Sequence, residues 1–332
     1  MLVKALCGLC VLCGLCALSA QGTTQDRLDR VRADLFARAE HLDEDVRELK
    51  QILAIDPRSA EGHMLLGIAY RTVGSQELIG ESVAEFRQAL DIDPSLVPVR
   101  LYLAHVYLDL GRGLRAREEL EHGLEQAPGK PEFLALLGET ERQLKNPQRA
   151  VELTRRALQA DQSNAQARYY LGLALYDLGQ RDDAIKELER VVQSGPRVAD
   201  PYLALGTAYL DTGRVPDAVR TLGQGNRMDP SRPELHIQLA RAYRSSGSLE
   251  KAEAQLALAA PKGAASAPMS DYLRQQVDLD FYLERGLLDL KRGRLTPAGD
   301  AFKKVLAMDP NNDQATRGLA EVTRRKKAGG RQ

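Results

Sequence analysis

The feature that most constrains this sequence is a recurrence at a fixed step. A helix-like stretch closing on a proline returns along the chain: QALDIDP ends at Pro94, LEQAP at Pro128, VVQSGP at Pro196, GQGNRMDP at Pro230 and KVLAMDP at Pro310. From 94 to 128 the step is 34 residues, from 128 to 196 it is 68, twice that length, and from 196 to 230 it is 34 again. The position that would complete the series is Gln162, within ALQADQSN. A second pattern, a small residue with tyrosine three on, ends LLGIAY at Tyr70, YLAHVY at Tyr107, LALGTAY at Tyr209 and IQLARAY at Tyr243. A period of this length marks a supersecondary unit that buries its apolar face only by stacking on its neighbours.

When the closing proline is numbered place 32, units begin at 60, 97, 131, 165, 199, 233 and 279. Place 8 is then Gly67, Ala104, Gly138, Gly172, Gly206, Ala240 and Gly286, and place 20 is Ser82, Ala116, Ala150, Ala184, Ala218, Ala252 and Ala298. Two antiparallel helices that cross closely leave room only for such residues, and a larger one would overpack the crossing by about 1–3 kcal/mol. Place 15 is Gly74, Gly111, Gly179, Gly213, Gly247 and Gly293, where glycine ends a helix in the left-handed conformation without a Cβ penalty. The exception is Lys145, followed by Asn146 and Pro147; asparagine tolerates that conformation and proline opens a helix. Places 7 and 24 supply larger apolar residues, Leu66, Phe86, Leu103, Leu120, Leu171, Leu188, Leu205, Leu222 and Phe302, while Arg285 stands at place 7 of the last unit.

This registration resembles the tetratricopeptide repeat family, whose unit is a 34-residue helix–turn–helix. The resemblance implies an all-α fold, an α-solenoid: a right-handed superhelix of about eight units and a C-terminal capping helix, with a concave face made by the first helix of each pair. Ala, Leu, Glu, Arg and Gln dominate the composition and there is no Trp, which agrees with an all-helical chain. The expected division is a signal peptide over 1–22, a degenerate first unit over 23–59, and six units over 60–96, 97–130, 131–164, 165–198, 199–232 and 233–266. An insertion at 267–278, a last unit at 279–312 and a capping helix with a basic tail at 313–332 complete it. In the first stretch Asp45 stands where a small apolar residue belongs, so its register is open. Three extra residues within GSQELIGES lengthen the turn of the unit at 60 or add part of a helical turn. The insertion begins as a strap rich in Pro, Gly, Ala and Ser and passes into a helix over roughly 271–292, with Ser270 as its N-cap.

All four cysteines, Cys7, Cys10, Cys13 and Cys16, lie in CGLCVLCGLC. The spacing is that of a metal or iron–sulfur site, yet the intervening residues are Gly, Leu and Val, and no charge falls between Ala5 and Ala20. One lysine, an apolar core and a small-residue exit describe a secretory signal, cleaved after Gly22 or after Ala20. A lipid anchor requires a small residue before the modified cysteine, and Leu precedes all four. The expected location is therefore periplasmic or secreted, with a mature chain that has no cysteine and depends on packing alone.

Charge is balanced, 46 acidic against 46 basic residues, which argues against nucleic acid as a partner. The apolar stretch is too short for a stable membrane span. His41, His63, His105, His122 and His236 are scattered without metal-ligand spacing, so neither metal nor cofactor is expected. No GxSxG and no phosphate-binding glycine loop occurs. Ser248 to Lys251 fits SxxK, but it enters a repeat helix and no KTG accompanies it. The units leave no chain over for a catalytic domain, and the expectation is a non-enzymatic scaffold that binds a protein or peptide segment.

In the family that this chain resembles, places 2, 5, 9, 12 and 13 commonly face the groove. Carried over, they put His105, Tyr169, Leu173, Tyr176, Thr207 and Leu210 there, with Tyr102 and Tyr170 beside them and Arg241 and Arg244 toward the C-terminal side. The tyrosines stand out, since tyrosine offers a large contact area at low entropic cost. The recurring asparagines of sugar-transferase members and the lysine-containing carboxylate clamp of chaperone-binding members are both absent.

Overall fold

The structure, a computed structural model, describes residues 23–37, 41–261 and 271–329. The expected signal peptide, the Ser270 cap and the end of the basic tail lie outside the described residues. Those described form seventeen helices and no strand, in two compact units, one up to Gln162 and one from Ser163. The first unit holds α1 (Thr24–Ala37), α2 (Leu42–Ile55), α3 (Ala60–Val73), α4 (Gln76–Ile92), α5 (Val97–Asp109), α6 (Gly113–Gln126), α7 (Pro131–Gln143) and α8 (Pro147–Ala160). The second holds α9 (Ala165–Asp177), α10 (Arg181–Gln193), α11 (Asp200–Asp211), α12 (Val215–Met228), α13 (Pro233–Ser245), α14 (Leu249–Ala259), α15 (Asp271–Lys291), α16 (Leu295–Met308) and α17 (Asp313–Gly329).

Within each unit every odd-numbered helix packs on the even one that follows, and that one on the next odd helix. Odd helices also touch one another: α3 with α5, α5 with α7, and in the second unit α9, α11, α13, α15 and α17 in succession. Among the described residues, the even helices do not make such contacts with each other. The odd helices therefore form a continuous layer in each unit, and that layer is the surface that places functional side chains side by side.

The small residues at the crossing behave as their size requires. A Cβ on Gly206 would stand 2.4 Å from Leu222, and one on Gly67 would stand 2.7 Å from Phe86. Ser82, the exception at place 20, is fully buried and its hydroxyl donates to the Gly67 carbonyl at 2.8 Å. The apolar residues of places 7 and 24 are buried throughout: Phe86, Leu103, Leu120, Leu188, Leu222 and Phe302 are 0% exposed. Each contributes about 1.5–3 kcal/mol of apolar burial.

All the turns but the one at Gly74, whose N–H donates to the Tyr70 carbonyl, share one hydrogen-bond pattern. Gly179 N–H donates to the Tyr176 carbonyl and Gln180 N–H to Leu175; Gly213, Gly247 and Gly293 repeat the pair. This is the Schellman closure of a helix, with a left-handed residue at its centre. In the unit without glycine the left-handed residue is Lys145 itself, at φ 66°, and not its neighbour Asn146, which stands at φ −113°. Proline opens α7, α8 and α13, where its missing N–H is not needed. The acid before the closing proline has a structural role as well: Asp93 and Asp229 each accept from the amide and hydroxyl of the serine two residues on.

The three extra residues of the unit at 60 extend a helix and leave the turn short: α4 has 17 residues, against 14 in α6, α8 and α12. The helix after the insertion runs from Asp271 to Lys291, close to the expected span. Arg285, out of pattern at place 7, reaches Asp289 at 3.0 Å, and Arg294 reaches the same carboxylate at 2.7 Å. Asp289 is 1% exposed, so these two arginines neutralise a buried charge. In the first stretch the register divides. Asp45, Leu49 and Ile52 of α2 are buried at places 20, 24 and 27, as the pattern requires. The α1 helix departs from it: place 8 would be Ala33, which is exposed, whereas Arg27, Leu28 and Val31 are buried.

Candidate functional site

Eight of the ten residues expected in the groove lie in the second unit, on the layer of odd helices. Tyr169, Tyr170, Leu173 and Tyr176 come from α9, Thr207 and Leu210 from α11, and Arg241 and Arg244 from α13; all eight are half-buried. Tyr169, Tyr176 and Leu210 pack over a core that includes Leu205, Leu235 and Leu239. Their outer atoms remain on the surface. The Tyr169 and Tyr170 rings meet at 5.7 Å, tilted by 43°, and Gln166 donates to the Tyr170 hydroxyl at 2.9 Å.

Tyr176 is held on all sides. The Arg181 guanidinium lies 3.8 Å from its ring centroid and donates to its carbonyl. Its hydroxyl donates to Asp211 of α11, and Arg241 of α13 donates to the other oxygen of that carboxylate at 2.8 Å. Burial foremost, and then the hydrogen bond to Asp211, push the Tyr176 phenol up to about 12, so it stays a neutral donor. One carboxylate thus ties three successive odd helices together. Arg244 makes a two-pronged pair with Glu284 of α15, at 2.8 and 2.9 Å, and Lys291 donates to the Arg244 carbonyl at 2.6 Å. Thr207 is turned inward: its hydroxyl donates to the Leu203 carbonyl of its own helix at 2.8 Å.

The other two residues lie in the first unit, on α5. Tyr102 stacks on the buried Phe86 at 5.8 Å and 13°, which makes its ring a lid on the core as much as a surface. Burial pulls the His105 imidazole down to about 4, helped by Arg71, so it is uncharged at neutral pH. Arg71 reaches across from α3 to Asp109 at 3.2 Å.

The sequence reading named the aromatic and basic members of this surface but not the acidic ones that organise them. Asp109, Asp177 and Asp211 all stand at place 13. Asp109 binds place 12 of the unit before it, Arg71, and Asp211 likewise binds Tyr176. That recurrence was the available signal. Glu284, at place 6 of the last unit, carried none. Among the described residues no group of three or more His, Cys, Asp or Glu is arranged to hold a metal ion, and no helix is long and apolar enough to cross a membrane.

Two models of the tetratricopeptide repeat match the chain, over residues 114–260 and 76–139. The chain belongs to the tetratricopeptide repeat family. Its structure is similar to that of Pseudomonas aeruginosa PilF, at 19% identity over 69% of this chain and 98% of that one, with a TM-score of 0.55. It is similar to PilW, a widely conserved type IV pilus biogenesis factor, at 18% identity over 64% of this chain and 98% of that one, also with a TM-score of 0.55. The APC/C hetero-tetramer Cut9–Hcn1 contains a chain at 16% identity and a TM-score of 0.68, of which the match takes 93% of this chain and 58% of the other. Identities this low establish a shared fold. A comparison with curated proteins returned no match.

Proposed function

We propose that the chain is a non-enzymatic scaffold of the cell envelope, periplasmic or secreted, that holds a segment of a partner protein against its odd-helix layer. The observation that carries this reading is the ordered surface of α9, α11 and α13. Half-buried Tyr169, Tyr170, Leu173, Tyr176 and Leu210 lie on α9 and α11, and the Tyr176–Asp211–Arg241 chain fixes Tyr176 in place before anything binds. Preorganised aromatic side chains lose little entropy on contact, which is what a binding surface needs. A protein segment, extended or helical, is the partner whose apolar side chains such a surface accommodates.

The apolar, cysteine-bearing N-terminal stretch supports an exported location, and the likeness to PilW, a type IV pilus biogenesis factor, is in keeping with it. A second reading is one that resemblance to the repeat family allows: an accessory or self-assembling component of an envelope assembly, a pilus or a polysaccharide secretion system.

Affinity capture from the cell envelope, with mass spectrometry of what co-purifies, tests the first reading. The triple substitution Tyr169→Ala, Tyr170→Ala and Tyr176→Ala reduces capture of the partner, with helicity by circular dichroism preserved. Undiminished capture removes this surface from the account. Sedimentation of the mature chain separates the readings, because self-assembly requires oligomers at micromolar concentration.

A further inference from the structure

At place 20, where the later units carry a buried alanine or serine, α2 carries a carboxyl. Asp45 is 7% exposed, and among the described residues its Oδ2 atom is buried without a hydrogen-bond donor. Ser82, at the same place one unit on, offsets its burial by donating its hydroxyl to the Gly67 carbonyl. A carboxylate has no hydrogen to give, whereas a protonated carboxyl has one. The acceptor within reach is Asp34 of α1, with which Asp45 shares a hydrogen bond. His41 holds Asp34 from the other side, its amide at 3.2 Å and its Nδ1 at 3.3 Å. Against the upward pull of desolvation, these bonds keep Asp34 below the ordinary aspartate range. The shared proton therefore sits on Asp45.

The other charges around the pair do not relieve it. A cavity of about 340 Å³ opens beside Asp45 between α1 and α2, walled also by Arg27, Arg30, Glu44 and Glu48. Arg27 is taken by Glu48 at 2.5 Å and by Gln51 at 3.1 Å, and Arg30 is exposed at the rim. The charge of Glu44 works with that of Asp34, and the charge of His41 works against it. The charged groups of α3 are engaged elsewhere: Glu61 with Arg32 of α1, His63 with Glu85 of α4 at 2.6 Å, and Arg71 with Asp109 of α5 at 3.2 Å. The α1 helix itself buries Arg27, Leu28 and Val31, a small apolar hold.

We propose that the Asp34–Asp45 pair is a proton-operated latch, which holds α1 on α2 while one proton bridges the two carboxyls and releases α1 when both are ionised. Burial first, then the hydrogen bond to Asp34 and its charge, raises Asp45 to about 6 with α1 in place. With α1 released it returns to the ordinary value of about 4. A group whose pKa is raised in the docked state strengthens docking fully below the released value, and that contribution is lost as pH rises through about 6. Docking thus weakens about tenfold between pH 5 and pH 8. Release uncovers the parts of α2 and α3 that α1 touches, at the N-terminal end of the first unit's odd-helix layer. The latch is independent of what the tyrosine-bearing surface binds.

The test is hydrogen exchange of the full chain, followed by mass spectrometry between pH 5 and pH 8 and corrected for the intrinsic rate. Protection of α1 falls about tenfold over that interval, while protection of α5 and α7 holds. Asp45→Asn keeps the size and a hydrogen-bond donor but not the charge, and removes the fall. Asp34→Asn moves the midpoint of the fall to lower pH, because the charge that raises Asp45 is gone. His41→Gln retains the fall. Unchanged protection of α5 and α7 at pH 5 shows that each variant is folded. A wild-type chain without the fall, a fall that α5 and α7 share, or one that Asp45→Asn leaves in full overturns the proposal. Loss of the fall in His41→Gln assigns it to the imidazole and overturns it as well.

Discussion

Replacement of Lys145 by glycine isolates the contribution of the turn glycines to stability. At φ 66° Lys145 is, among the described residues, the one non-glycine residue in the left-handed region, and its side chain is exposed. The backbone around it is closed as in the glycine turns: its N–H donates to Arg142 at 3.0 Å, and Asn146 N–H donates to Glu141 at 2.9 Å. An L-residue held there costs about 1–2 kcal/mol, and the added freedom of glycine in the unfolded chain takes back about 0.4–1 kcal/mol. Lys145→Gly therefore stabilises by about 0.5–1 kcal/mol. Lys145→Ala retains a Cβ and stays within about 0.5 kcal/mol of the parent. The mirror experiment is Gly179→Ala: Gly179 has φ 75° and nothing within 4 Å of an added Cβ, so its loss is conformational only. Urea denaturation gives the totals, and hydrogen exchange at the Asn146 amide shows whether the gain is local. Equal stability of the glycine and alanine variants at 145 would refute the conformational account of place 15.

Further substitutions probe other links. Gly206→Ala sets an added Cβ 2.4 Å from Leu222; overpacking of about 1–3 kcal/mol outweighs the roughly 1 kcal/mol helix-propensity gain, and Leu222→Ala in the same chain recovers part of the loss in a denaturation cycle. Asp289→Ala takes the buried carboxylate away from Arg285 and Arg294; both arginines are about a third exposed and keep Glu253, so the loss is about 1–2 kcal/mol and appears as faster hydrogen exchange in α15 and α16. Asp45 is 7% exposed, and burial first, followed by its hydrogen bond to Asp34 and that group's charge, raises it to about 6. A raised folded-state pKa contributes stability that is complete below the unfolded value near 4 and is lost as pH rises through about 6. Asp45→Asn flattens that slope, and Asp45→Ala, which also removes the unpartnered Oδ2, stabilises α2 by about 1–3 kcal/mol at neutral pH. Denaturation at pH 4 and pH 7 checks both; a wild-type chain with no loss between them sinks the assignment.

These effects explain why the framework was readable and the binding surface less so. Places 8, 15 and 20 are restricted by backbone geometry: an approach too close for a side chain, or a left-handed turn. Only Gly, Ala, Ser or, at one turn, a strained lysine meet those demands, so residue type reports position directly. The α1 helix escaped because nothing comparable restricts it; its buried face follows Leu28 and Val31 and not the repeat numbering.

The surface obeys a weaker rule. Asp211 is placed by Tyr176, 35 residues before it, and by Arg241, 30 residues after it, so its meaning depends on three units at once. Charge pairs also exchange partners freely: place 12 is Arg71 in one unit and Tyr176 in another, and place 13 aspartate accepts from both. A period search for small and apolar residues passes over this; a search for acids at a fixed place, with a donor one place earlier in the preceding unit, finds it.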